Sequence, residues 1–542
     1  MTATIQRKLN DSAFVRWTAL VLIASMMFFG YMFVDVMSPL KSLVESARGW
    51  DSATFGTYAA SEYFLNVFFF FLIFAGIILD KMGIRFTGLL SAGLMVAGAT
   101  IKFVGITDWF QTTELCAWLD SWWTALPGSA KMASLGFMIF GCGCEMAGTT
   151  VSKAIAKWFQ GKEMAMAMGL EMAIARLGVF AVMWLAPMIS NRYDQSIVAP
   201  VAFCTALLVI GLLSYTVFVF MDRKLDSQLI AAGEMKEEKS SDEEFHLRDL
   251  GKIFTSKMFW LVALLCVLYY SAIFPFQKYA VNMLQCNLTF VQPEADSFWA
   301  SDTVTMLQYG IMLVVAATAF ASNFSKKSGM RIVLQIVSVV FLIVFCYMGY
   351  MRQSAETIFA VFPLLAVGIT PILGKFIDTK GKAASMLMIG SLLLIACHLT
   401  FAFVLPMFKG NGVGGVFVAY ITILVLGASF SLVPASLWPS VPKLVDSKVI
   451  GSAYALIFWI QNIGLWLFPL LIGKILDASN PEIVRAVDEG TMTPAEAAVQ
   501  YDYTNPLIML ACLGVAALIL GFILKIVDKK QGLGLELPNI QK

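Results

Sequence analysis

The sequence predicts an all-α polytopic membrane protein of about 14 helices arranged in two halves. Three observations carry this. Hydrophobic residues make up 59% of the 542 and charged residues only 14%, too little polar surface to cover a soluble chain of this size. Apolar runs long enough to cross a membrane recur along the whole length. One short pattern of glycine and aspartate occurs twice, once in each half.

The same composition excludes other classes. The formal net charge of +2 comes without a basic tract, so nucleic acid is not an expected partner. The 9 cysteines sit mostly inside apolar runs, which argues against a disulfide framework. Cys142 and Cys144 lie two apart and share no helix face, and no nucleophile–base or metal constellation appears. The expected protein is not an enzyme and needs no cofactor.

The first run, 17–36, is too long for a signal-peptide core and lacks a small-residue cleavage site, so it is read as a span. Runs at 58–79, 86–104, 133–158, 164–189 and 198–221 complete the first half, 1–222. Residues 223–257 carry Glu234, Glu237, Glu238, Asp242, Glu243 and Glu244 and read as a solvated cytoplasmic linker. The second half, 258–528, holds runs at 259–283, 304–321, 332–350, 358–377, 386–407, 415–437, 450–476 and 507–527, followed by a tail at 529–542.

Lysine and arginine set the orientation. With Arg7, Lys8 and Arg16 in the cytoplasm, Lys81, Arg85, Lys157, Lys162, Lys326, Lys327, Arg331, Lys380, Lys382, Lys443, Lys448, Lys529 and Lys530 all fall inside. The loop after 476 is acidic and falls outside. An even number of spans then leaves both termini cytoplasmic.

The repeated pattern is Gly76-Ile-Ile-Leu-Asp80-Lys-Met-Gly83-Ile-Arg85 and Gly374-Lys-Phe-Ile-Asp378-Thr-Lys-Gly381-Lys382. Each reads as a latch at a cytoplasmic helix end. The first glycine permits close helix approach, the aspartate pairs with the nearby cation, and the second glycine allows a tight turn. The pattern resembles the major facilitator superfamily, whose core is two six-helix bundles. The resemblance places the second copy after the eighth core helix, and here it arrives two spans late. Residues 301–352 are therefore expected to be an inserted transmembrane hairpin, the alternative being that one of its two segments is interfacial.

Charges inside spans are expensive and point to function. Glu145 and Arg176 lie at similar distances on either side of the turn at 159–163, which puts both near mid-membrane. Either they form a fixed ion pair, or a zwitterionic ligand bridges them, its ammonium on Glu145 and its carboxylate in the Arg176 fork. Glu171 is a second potential partner for Arg176. Lys278, after Pro275, either snorkels outward or supplies a further cation for a carboxylate. Asp35 and Glu62, near outer helix ends, are either an outer gate or solvated. His398 reads as a packed histidine, and Phe68 to Phe71 as lipid-facing or packing residues. Gln461 and Asn462 fall mid-span, where amides need partners, either between helices or on a substrate amide.

At Gly143-Cys-Glu145, Trp158-Phe-Gln-Gly-Lys-Glu163, Gly169-Leu-Glu-Met-Ala-Ile-Ala-Arg176-Leu-Gly178, Tyr269-Tyr270, Phe274-Pro275-Phe276, Leu437-Trp438-Pro439, Gly451-Ser-Ala-Tyr454 and Gln461-Asn462-Ile-Gly464, with Phe29-Gly30-Tyr31 and Asp35, the chain resembles the lysosomal dipeptide carrier branch of that superfamily. The resemblance implies facilitative dipeptide transport by alternating access, with Glu145 and Arg176 contacting the peptide termini. The expected lining adds Tyr270, Phe274, Lys278, Trp438, Gln461 and Asn462. The sequence departs from the branch in the inserted hairpin, in the longer outer loop 107–131 and in the position of Lys278. It lacks the Glu-x-x-Glu-Arg signature of the proton-coupled oligopeptide family. The expected host is a bacterial inner membrane, or the lysosomal membrane in a eukaryote, and the expected carrier is a lipid-embedded monomer. Another small zwitterion or organic anion as cargo, and a non-transporting receptor or scaffold, are the alternatives.

Overall fold

Inside a bilayer the backbone can satisfy its own polar groups as helix, and the computed structural model is helical through every apolar run. It describes residues 8–538, apart from 160–163, 232–254, 291–292, 295, 326, 410–411, 444–449 and 533. The long helices of the first half are α1 (Ala13–Asp35), α2 (Ser52–Phe68), α3 (Phe71–Gly105), α4 (Gly128–Phe159), α5 (Met164–Arg192) and α6 (Val198–Ala231). Those of the second are α7 (Lys257–Asn287), α8 (Asp302–Phe324), α9 (Ser328–Arg352), α10 (Ala355–Lys380), α11 (Ala383–Leu399), α12 (Gly412–Leu437), α13 (Ile450–Ser479) and α14 (Thr504–Gln531). Asp51, Ser256, Ser301 and Ser354 cap the N-termini of α2, α7, α8 and α10 by accepting a backbone N–H. No strand occurs among the described residues.

The second span is broken. It consists of α2 and the start of α3, which meet at a 60° bend where Phe70 adopts a left-handed φ of 52°. Phe70 stacks on Trp459 with ring centroids 5.3 Å apart, so this phenylalanine tract packs across the two halves as well as meeting lipid. Gly83, at φ 74°, then turns the chain into the third span, a conformation that favours glycine. The sixth helix continues to Ala231, past the expected start of the linker, and the acidic stretch of that linker lies outside the described residues. The outer loop 107–131 folds into two short helices, Asp108–Gln111 and Glu114–Ser121, tied down by Lys131 donating to the carbonyls of Leu119 and Trp122.

Helix pairing shows the repeat. In the first half α1 packs on α5 and α6, α4 on α2 and α3, and α3 on α6. In the second half α7 packs on α13 and α14, α12 on α10 and α11, and α11 on α14. The two sets match one for one if α8 and α9 are skipped. Those two pack chiefly on each other and touch the core mainly through α10, with Phe345 also against Phe180 of α5, as an insertion after the seventh core helix requires. The halves meet where α2 crosses α13 and α5 crosses α10. At the first crossing the Gly56 Cα faces the Pro469 carbonyl closely enough that a Cβ there would collide with it.

A buried network closes, between the halves, the end opposite the Gly83 and Gly381 turns. Lys41, in the short helix Lys41–Arg48, pairs with Glu45 at 2.6 Å and donates to Ser52 at 3.0 Å and to Asn282 of α7 at 3.1 Å. The Asn282 amide donates to the Ala498 carbonyl at 2.6 Å, and the Tyr503 hydroxyl donates to the Asn282 carbonyl oxygen. Asp477 at the end of α13 accepts the Ala53 N–H at 2.6 Å. In the orientation expected from lysine and arginine, this is an outward-closed arrangement.

Candidate substrate site

Arg176 sits among aromatic rings drawn from both halves. Its guanidinium carbon is 5.7 Å from the ring centre of Tyr31 on α1, 5.1 Å from Phe274 on α7 and 5.2 Å from Phe430 on α12. No ion pair joins it to Glu145 or to Glu171 among the described residues, so the fixed-pair alternative is not the arrangement of this state. Glu145 on α4 lies within electrostatic reach of Glu62, and its carboxylate faces the Asn462 amide on α13. Asn462 is 1% exposed, and neither of its amide atoms has a partner at hydrogen-bond distance.

The remaining expected lining falls into two groups. Tyr270 and Phe274 stack at 5.4 Å, Phe274 meets Phe430 edge-on at 5.6 Å, and the Trp438 indole donates to the Tyr270 hydroxyl at 3.1 Å. Tyr454 donates to the Trp438 carbonyl at 2.9 Å, fixing that ring beside the others. This aromatic wall adjoins the Arg176 guanidinium. Gln461 stands apart from it: its carbonyl oxygen accepts the Cys266 thiol at 3.2 Å, the interhelical use of the amide.

Lys278 does not snorkel. It is buried, with its ammonium 3.0 Å from Asp35 and 3.6 Å from Glu62, and it donates to the Val34 carbonyl at 2.9 Å. Gln277 also donates to Asp35. Asp35 and Glu62 are buried likewise, so they are not solvated ends: together with Lys278 they tie α1 and α2 to α7. In this state the Lys278 ammonium is committed to protein carboxylates. Beside them lies Lys102, fully buried, with its ammonium 4.3 Å from the ring centres of both Phe33 and Phe137 and 5.1 Å from that of Tyr58. Sequence reasoning missed Lys102, although a lysine inside an apolar run is legible as a candidate. Tyr31 and Phe430 were missed because an aromatic residue in a hydrophobic run carries no signal of what it faces. His398 is packed as expected, its Nδ1 3.0 Å from the Leu394 carbonyl oxygen and its ring 5.3 Å from Phe276.

The latches keep their turns, and the described cations and backbone groups beside them have further partners. Gly83 and Gly381 both take positive φ, 74° and 75°. Gly76 and Gly374 have open space where a Cβ would point, so neither provides the close helix approach expected of it. The side chains of Asp80 and Asp378 lie outside the described ones. Arg85 pairs with α6, reaching Asp226 at 2.6 Å and Asp222 at 3.4 Å, and Lys157 joins the same two carboxylates at 2.6 and 2.8 Å. In the second half the turn is held by the tail. Lys382 and Ala383 donate their N–H groups to the carbonyls of Glu536 and Leu535 at 3.1 and 3.2 Å, and the Glu536 carboxylate accepts from Ser385. Asp528 near the end of α14 in turn accepts the Leu535 N–H at 2.9 Å. The last helix of each half thus braces its own latch.

Comparison with known proteins agrees with this architecture. The chain is 23% identical to the lysosomal dipeptide transporter MFSD1 of Danio rerio over 85% of this chain and 81% of that protein. It is 22% identical to the MFSD1 of Homo sapiens over 64% of this chain and 60% of that protein. Among solved structures it resembles the nucleoside transporter NupG, with a TM-score of 0.56 at 13% identity, covering 94% of this chain and 99% of that one. A structure titled for substrate recognition in proton dependent oligopeptide transporters matches with a TM-score of 0.56 at 14% identity, over 96% of this chain and 99% of that one. The family model for the Major Facilitator Superfamily matches residues 20–369. With its repeated helix pairings and its two crossings between halves, this chain is a multi-pass transporter of the Major Facilitator Superfamily.

Proposed function

We propose that this transporter carries dipeptides by alternating access, with both of its own termini in the cytoplasm. Glu145 holds the peptide ammonium, Arg176 its carboxylate, and Asn462 its amide. The observation that carries this reading is that Glu145 and Arg176, charged residues on apolar helices, make no ion pair with each other although both lie within electrostatic reach of Tyr31. The buried Asn462 amide stands beside the Glu145 carboxylate, with no partner at full hydrogen-bond distance. Charges and amides desolvated in this way need complementary groups, and a dipeptide supplies an ammonium, a carboxylate and an amide. The aromatic wall of Tyr270, Phe274 and Trp438 offers ring faces to side chains of varied shape. The dipeptide transporters named among the relatives support the same substrate class.

The test is thermal stabilisation of the purified protein by free dipeptides, dipeptides acetylated at the N-terminus, and single amino acids. The reading expects stabilisation by free dipeptides that Arg176→Lys abolishes. It also expects Glu145→Gln to remove the preference for a free N-terminus. Stabilisation by single amino acids alone would assign the site to a smaller zwitterion instead.

A further inference from the structure

A cavity lies away from the candidate substrate site, at the outer end of the molecule, with a volume of about 1070 Å³. Its walls come from both halves. The first half contributes Leu43 and the outer part of α5, and the second contributes Gln285 at the end of α7, the tops of α8 and α9, and Glu356 of α10. The cavity exists because the inserted hairpin holds its outer ends away from α5, and the crossing of α5 with α10 closes it on one side.

Polarity changes with depth. At the outer rim stand Arg192, the last residue of α5, and Arg352, the last of α9. Deeper, roughly two turns down the same helices, the walls are Trp184, Leu185 and Phe345. Gln308 of α8 lies at the boundary. It is 2% exposed, its carbonyl oxygen accepts from Arg352 at 3.1 Å, and its buried amide nitrogen has no hydrogen-bond acceptor. Two guanidinium groups at the rim ask for an anionic oxygen. The apolar floor asks for hydrocarbon.

The opening faces the bilayer. Met306 lines the cavity and is 75% exposed, and α9 is the least buried of the long apolar helices described, with Ile343 and Tyr347 on its outer face. An occupant entering from that side is one already in the membrane. We propose that this cavity binds a glycerophospholipid of the outer leaflet, with its phosphate at Arg192 and Arg352 and its acyl chains along Trp184, Leu185 and Phe345. A lipid seated there touches both halves at their outer ends. It binds the outward-closed arrangement better than one in which those walls have parted, and so it shifts the population toward closure.

The experiment uses the full chain, delipidated in detergent. Thermal stability and bound lipid, read by native mass spectrometry, are followed on adding phosphatidylglycerol, soluble glycerophosphoglycerol, or inorganic phosphate. The expected result is retention of phosphatidylglycerol with a clear upward shift in melting temperature, and no shift with either soluble compound. Leu185→Trp, which fills the floor, and Arg192→Ala, which removes a rim cation, should each reduce retention several-fold. An equal shift from the soluble headgroup or phosphate would overturn the lipid assignment in favour of a simple anion site. A photoactivatable phospholipid provides a readout on the unaltered protein. Crosslinks to Met188 and Phe345 are expected, and crosslinks confined to the outward face of α9 would overturn the proposal.

Discussion

Arg176 is held by rings rather than by a carboxylate, which leaves its planar fork available. Lysine keeps the charge but neither stacks in the same way nor binds a carboxylate with two parallel bonds. Arg176→Lys should therefore cut dipeptide uptake by about tenfold or more at normal expression, a change of at least ~1.4 kcal/mol at the site. Uptake by the variant at the original rate would remove Arg176 from the binding site. Asp35 makes a different kind of contact, a buried bridge from α1 to Lys278 on α7. Asp35→Asn leaves the ammonium to the more distant Glu62, and breaking such a buried pair costs about 3–5 kcal/mol. Outer-side cysteine accessibility should rise in that variant as the outward-closed arrangement loses stability. Unchanged accessibility would mean that the bridge does not hold the outer end shut. The sequence already carried Glu145, Arg176, Lys278, Asp35 and Glu62, because a charge in an apolar run stands out against its surroundings. It did not carry their pairings. Which carboxylate meets Lys278 depends on how α1, α2 and α7 are rotated about their axes, and residue spacing along one helix says nothing about rotation against another.

The latches show how a repeated motif transmits less than its residues suggest. The turns were legible because a positive φ selects glycine, and Gly83 and Gly381 satisfy that rule locally. The partners were not legible, since Asp222 and Asp226 lie well over a hundred residues from Arg85 and reach it only through the packing of α3 on α6. Asp222 is fully buried, accepting Lys157 at 2.8 Å and the Trp158 indole at 2.9 Å. Asp222→Asn should slow the conformational cycle, lowering transport while dipeptide-induced stabilisation of the purified protein survives. Loss of that stabilisation would show that the cluster shapes the substrate site itself. In the second half the brace is the tail segment Leu535–Leu537 lying on the turn Gly381–Ala383. Ending the chain at Gly532 removes that brace while leaving α14 intact. The expected outcome is a changed transport rate with unchanged dipeptide affinity, measured by competition in vesicles.

Taken whole, the molecule is two copies of one pairing scheme with an unpaired hairpin beside them. The helix count and the repeat were legible from apolar length and from the two latches. The insertion was legible only because the second latch arrives late against a family pattern. The lateral cavity was not, since it depends on how far α8 and α9 stand from α5. Orientation rests on the positive-inside rule, so a cysteine at Ser325 in the turn between α8 and α9 should react only with reagents on the cytoplasmic side. Reaction from outside would invert the hairpin and the topology with it. A site that reads two charged ends separated by one peptide unit discriminates by length more than by side chain, because a ligand of the wrong length leaves a buried charge unpaired. The direct test is competition for uptake of a radiolabelled dipeptide into vesicles holding the purified protein, with dipeptides of varied side chains, free amino acids and tetrapeptides as competitors. Dipeptides of many compositions should compete well, and free amino acids and tetrapeptides poorly. Strong competition by free amino acids, with none from dipeptides, would contradict a dipeptide carrier.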